Sequence, residues 1–114
     1  SADRPAHELL QLTDRPTAVF AANALMAIAT LEAAADLGVA VPRELSVIGF
    51  DDVPEAAATT PPLTTVAQPI QRMGSEAIGL LVELMAGREV ATPHLRLPTR
   101  LVERGTCAPV PVHI

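Results

Sequence analysis

The chain has 114 residues, 49% of them hydrophobic and 2% aromatic, with eight basic against thirteen acidic side chains and a net charge of −5. That length allows one domain or part of a larger one, and that apolar content excludes a disordered chain and calls for an aliphatic core. The negative balance argues against a nucleic-acid or anionic-membrane surface on this segment. Every basic residue is Arg, which removes Schiff-base, P-loop and receiver-type phosphoacceptor chemistries, all of which need Lys.

Cys107 stands alone, so there is no intrachain disulfide framework. No apolar run approaches the ~18 residues of a membrane span, and no secretory signal is read at the start. Ser1-Ala2 in place of Met leads us to expect that the natural polypeptide begins upstream.

In chain order, residues 4–13 predict a helix with Leu9, Leu10 and Leu12 as apolar contacts, broken by Arg15-Pro16. Residues 17–22 form a short apolar run, the pattern of a strand covered on both faces. Residues 24–37 predict a helix, with Gly38 as its terminator. After a turn at Pro42, residues 45–50 predict a buried strand, and the three segments make a βαβ unit. The 24–37 helix is apolar almost all round, broken only by Thr30, Glu32 and Asp36. A helix lying on a sheet shows water a wider polar stripe. Either part of this one faces another chain, or its alanines are simply tolerated on a surface.

Residues 54–63 read as a loop with a helical turn at 55–58, and residues 64–67 as a short strand or an extended crossover. Pro69 suits a first helical position. Ile70, Met73, Ala77, Leu80, Leu81 and Leu84 then keep a helical period up to Gly87. Residues 94–104 read as a strand interrupted by Pro98, which belongs at a sheet edge or bulge. Residues 105–114 read as a Pro-rich tail without a packing signal.

The chemistry-bearing residues cluster where strands end. Asp51-Asp52 follows the 45–50 strand, and open α/β sheets present ligand-binding groups at such carboxyl ends. Strand neighbours point to opposite faces, so the two cannot form a tight acid–base dyad unless a turn intervenes. Asp51 is expected to face a cleft and accept ligand hydrogen bonds, and Asp52 to hold the following loop; both could equally be turn caps. Asn23 precedes a helix and can serve as N-cap or as ligand group. Gln68 is a poor cap, which leaves its amide for a cleft or for solvent. His7, His94 and His113 are too far apart in sequence for a metal motif, and no metal or cofactor is expected. No nucleophile–base pair, P-loop or glycine-rich dinucleotide motif is present, which argues against an enzyme built on Asp51 and Asp52.

Several stretches, in this order and spacing, resemble one family. They are residues 15–23, Met26-Ala27-Ile28, residues 37–42, residues 45–52, residues 61–69 and the ending Leu101-Val102-Glu103-Arg104-Gly105-Thr106. Together they are similar to the carboxyl-terminal part of the lactose-repressor (LacI) family of bacterial regulators, over roughly residues 15–108. The resemblance implies an α/β architecture, a partial periplasmic-binding-protein-like (type I) fold with a parallel sheet flanked by helices. Residues 15–66 and 93–108 would form the carboxyl-terminal lobe, and the 67–92 helix would belong to the other lobe. It implies a segment that senses a small effector, a sugar or other metabolite, and forms a homodimer. Operator DNA would be bound only through an amino-terminal helix-turn-helix outside this chain, in the cytoplasm.

Asn23, Asp51 and Gln68 fall on positions that commonly touch the effector. The family usually has Asp after that Asn, where this chain has Ala24. The helix and the 53–63 loop fall where family members dimerise, which makes Leu25, Ile28, Ala29, Glu32, Ala56 and Ala57 candidate interface residues. A secreted sugar-binding protein of a transporter would share the fold and is the alternative. The apolar stripe of the 69–86 helix is expected to pack on a second copy or to fold back on the sheet.

Overall fold

A computed structural model describes residues 3–89 and 96–110. The elements in chain order are α1 (Asp3–Leu10), β1 (Ala18–Phe20), α2 (Ala24–Asp36), β2 (Ser46–Phe50), α3 (Pro54–Ala58), β3 (Thr64–Ala67), α4 (Ile70–Met85) and β4 (Arg100–Val102). The sheet runs β1-β2-β3-β4, with β1–β2 and β2–β3 both parallel. The chain divides into two units, one of residues up to Ala67 together with those from Leu101, the other Gln68–Arg100.

α1 is shorter than the 4–13 span expected. Ala6 and Leu10, one helical turn apart, are buried against α2, while Leu12 is 55% exposed in the turn that follows. The contact face therefore follows the i,i+4 row rather than the run of leucines. α1 also answers part of the question raised by α2. The apolar helix is sandwiched by its own chain, with β2 on one side and α1 on another.

The ends of α2 follow from local chemistry. The Asn23 side chain accepts a hydrogen bond from the Met26 N–H at 2.9 Å, relieving one orphan donor of the first turn. At the other end Gly38 has φ +71. The Val39 N–H reaches the Ala34 carbonyl at 2.8 Å and the Gly38 N–H the Ala35 carbonyl at 3.2 Å, a Schellman closure. Small residues let α2 lie close to the sheet. A Cβ on Gly49 would stand 3.1 Å from both the Ala27 Cβ and a Leu63 methyl.

β2 alternates in burial, with Val47 and Gly49 inside. β1 does not have both faces covered, as its apolar run led us to expect. Val19 packs against the core, but Ala18 and Phe20 point away, and Phe20 is 63% exposed. β1 ends the sheet order, so only one strand neighbours it. Between α2 and β2, Glu44 pins the turn, accepting from the Ala40 N–H at 3.1 Å and from Arg15 Nη2 at 2.9 Å.

The expected 94–104 strand shortens to Arg100–Val102 at the other end of the sheet. Residues 94 and 95 lie outside the described residues, and 96–99, with Pro98, are irregular. Residues 105–108 are not an unpacked tail. Thr106 is fully buried. Its hydroxyl donates to the Val47 carbonyl at 2.6 Å and accepts from the Thr64 N–H at 2.9 Å. Its own carbonyl accepts from the Val47 N–H at 2.9 Å. The segment stitches the entry ends of β2 and β3 together.

In the second unit α4 starts one residue later than expected, with Pro69 as its N-cap, and Gly87, at φ +74, follows the Ala86 cap. No α4 residue is buried, and Ile70, Ile78, Leu81 and Met85 are more than half exposed.

Candidate functional site

Parallel pairing decides which residues meet at the carboxyl end of the sheet. Phe20 pairs with Ile48, and Phe50 pairs with Val66. Beyond β1 the Ala21 N–H still bonds the Ile48 carbonyl at 2.8 Å, and beyond β2 the Asp51 N–H bonds the Val66 carbonyl at 2.9 Å. Asn23 and Asp51 thus follow the carboxyl ends of two adjacent strands, three residues after β1 and one after β2. This is the edge at which open α/β sheets bind ligands.

Only one end of the Asn23 amide is committed to the helix cap. Its Oδ1 is committed to the α2 cap, while its amide nitrogen carries two donors. An open groove of about 690 Å³ lies beside it, lined largely by apolar residues of α1, β1 and the start of α2, among them Leu9, Val19, Phe20, Leu25 and Met26. Asp51 does not line that groove.

Asp51 is half-buried and has φ +75. A side chain in this left-handed region costs roughly 1–2 kcal/mol, and Asp is among the residues that tolerate it best. The turn that the sequence leaves open as an exception to strand alternation does intervene at Asp51.

Asp52 is a structural carboxylate, tied to β3 and the returning chain rather than to the loop after it. Its Oδ1 accepts from Arg104 Nη2 at 2.8 Å and from the Thr65 hydroxyl at 3.3 Å. Arg104 is mostly shielded, with its side chain 18% exposed, and its other nitrogen donates to the Leu63 carbonyl at 2.7 Å. The Arg104 N–H closes the cluster on the Thr64 hydroxyl at 3.0 Å. Sequence reading quoted Arg104 within a motif but gave it no role. The available signal was an Arg in a final strand with an acidic pair elsewhere in the chain.

Gln68 directly follows β3 and is half-buried in the second unit, its carbonyl accepting from the Ile70 N–H at 2.9 Å. The candidate interface residues divide by burial. Leu25 is 76% exposed, Glu32 and Ala57 are also exposed, and Ile28 is half-buried. Ala29 and Ala56 are buried within their own chain, Ala56 completely. No cluster of metal-ligating side chains occurs among the described residues. Among them, too, no helix is long and apolar enough to cross a membrane. His94 and His113 lie outside those residues.

Residues 1–107 match the periplasmic binding protein-like domain family. The chain is 41% identical over 101 residues to a lactose operon repressor of Rhizobium radiobacter, covering 89% of this chain and 88% of that one. It is 37% identical over 105 residues to the HTH-type transcriptional repressor PurR of Serratia proteamaculans, covering 92% of this chain but only 31% of the repressor. Among solved structures, a LacI family transcriptional regulator from Bifidobacterium animalis subsp. lactis superposes with a TM-score of 0.91 at 34% identity, covering 96% of this chain and 40% of the regulator. The LacI family transcriptional regulator from Arthrobacter sp. FB24 in complex with lactose gives 0.84 at 31% identity, covering 94% and 40%. These relatives are transcriptional regulators, in line with the absence of an enzymatic motif in the sequence. The chain belongs to the LacI family of transcriptional regulators, as a segment of their periplasmic-binding-protein-like sensor domain.

Proposed function

We propose that this chain is the effector-sensing and dimerising segment of a bacterial transcriptional repressor, with a sugar as effector. The feature that supports the reading is the parallel β1–β2 pair, with Asn23 and Asp51 in the segments that leave the carboxyl ends of its two strands. A carboxylate that accepts and an amide that donates suit vicinal hydroxyl groups. A relative at comparable identity is a lactose operon repressor, and a structural neighbour holds lactose. Gln68 joins the ligand groups through the family pattern.

The segment that carries α4 is assigned to a second lobe of the regulator. Support comes from its separation as a unit and from an apolar stripe with no buried residue. A stripe of this kind needs a covering surface, and the structural relatives are more than twice as long as this chain's match to them. Operator DNA is contacted through a helix-turn-helix outside this chain, in keeping with the charge of −5 here. The repressor works in the cytoplasm, where its operator is.

The test is calorimetric titration of the natural gene product with lactose, comparing the parent with Asp51→Asn. Asn tolerates the same left-handed backbone and keeps the shape, while the charge and one acceptor oxygen are lost. Losing a charge-assisted hydrogen bond should weaken lactose about 10- to 100-fold. Unchanged affinity in Asp51→Asn would remove Asp51 from the site.

A further inference from the structure

We infer that the Asp52–Arg104 ion pair is a positioning device for Asp51, so that the returning chain segment aims the ligand-binding carboxylate without touching the ligand. The inference rests on the sensing role proposed for Asp51.

Asp51 sits at φ +75, a conformation that a side chain keeps only when the surroundings over-determine it. Two tethers do so here. Before the turn, the Asp51 N–H is held by the Val66 carbonyl at 2.9 Å. One residue later, the Asp52 carboxylate is held by Arg104 at 2.8 Å and by the Thr65 hydroxyl at 3.3 Å. With both sides pinned, the peptide between Asp51 and Asp52 has little freedom, and the Asp51 side chain inherits one direction.

Arg104 can hold that position because it is itself fixed. One guanidinium nitrogen is on the Leu63 carbonyl at 2.7 Å, and its backbone N–H is on the Thr64 hydroxyl at 3.0 Å. Its planar fork reaches the two acceptors through two different nitrogens held in one fixed geometry. Two residues on, Thr106 anchors the same segment to β2 and β3. Residues 104–106 are thus bonded to β2, β3 and Asp52, the residue next to Asp51.

Amide hydrogen exchange on this chain, read by nuclear magnetic resonance, tests the inference without any ligand. The Asp51 N–H, bonded to Val66, is compared with the Ala21 N–H, bonded to Ile48 at 2.8 Å, as internal standard. In Asp52→Ala, and more mildly in Asp52→Asn, Asp51 should exchange at least tenfold faster relative to Ala21. Leu10→Ala, which loosens the remote α1–α2 contact, should leave that ratio unchanged. Equal acceleration of Asp51 and Ala21 in the Asp52 variants would reduce the pair to a general stabiliser and overturn the inference. Lactose titration of the natural gene product separates the two readings. Weaker lactose binding in Asp52→Asn but not in Leu10→Ala supports both. A parent that binds no lactose, with the exchange ratio still raised, leaves the positioning of Asp51 standing and removes the sugar-sensing role.

Discussion

Thr106 shows how much one small side chain can hold. Its hydroxyl serves two strands at once, donating to Val47 and accepting from Thr64, in a spot with no solvent access. Thr106→Val keeps the shape and removes both bonds. The Thr64 N–H is then left without its partner, at a cost of about 1–3 kcal/mol, while the Val47 carbonyl keeps the Cys107 thiol at 3.5 Å. We expect Thr106→Val to lose about 2 kcal/mol and to melt on the order of 10 °C lower. Thr106→Ser, which retains the hydroxyl, should recover most of that loss. Thermal denaturation followed by circular dichroism measures both, and a Ser variant that melts below the Val variant would show that the methyl, not the hydroxyl, matters. The role proposed for Asp51 draws on this kind of support, since the same segment carries Arg104, which bonds the neighbouring Asp52.

For the elements, α2 is where structure and sensing share a residue. Asn23 caps the helix through Oδ1, and its amide nitrogen is the group proposed for the ligand. The two tasks separate by substitution. Asn23→Ala should cost about 1 kcal/mol through the lost cap. Asn23→Ser keeps a capping oxygen and should restore stability, yet it lacks the amide donor and should bind lactose as poorly as the Ala variant. If Ser restored lactose binding as well, Asn23 would be a cap alone. The same element shows what a sequence can and cannot reveal. Both ends of α2 were legible because a cap and a Schellman closure are local, set by Asn23 and by Gly38 within a few residues. The parallel strands 45–50 and 64–67 were legible from apolar runs bounded by turn signals. The extent of β4 and the burial of Thr106 were not, because their partners, β3 and Val47, lie some forty to sixty residues away. The left-handed turn at Asp51 was hidden for the same reason. Nothing adjacent announces it, and Arg104 and Val66 hold it from a distance. Leu12 misled because a leucine-rich stretch was read without the i,i+4 row that Ala6 and Leu10 define.

At the scale of the molecule, burial separates two sets of interface candidates that the family pattern had joined. Ala56 is wholly enclosed and Ala29 nearly so, and each is already engaged within its own chain. Leu25 is 76% exposed at the start of α2, next to the also exposed Met26. Fully burying a Leu is worth about 1.5–3 kcal/mol, which makes Leu25 a natural anchor for a second copy. A charge placed there is harmless to the monomer and costly at an apolar interface, where it would be desolvated without a partner. Leu25→Glu in the natural gene product should therefore leave the circular dichroism spectrum and melting of the monomer intact while weakening self-association at least tenfold in sedimentation equilibrium. Ala56→Glu should do the reverse, unfolding the chain at any concentration because its Cβ faces the core. A Leu25→Glu protein that sediments as the parent does would move the dimer contact off α2. The exposed stripe of α4, with Ile78 and Leu81, would then be the next apolar surface in need of a partner.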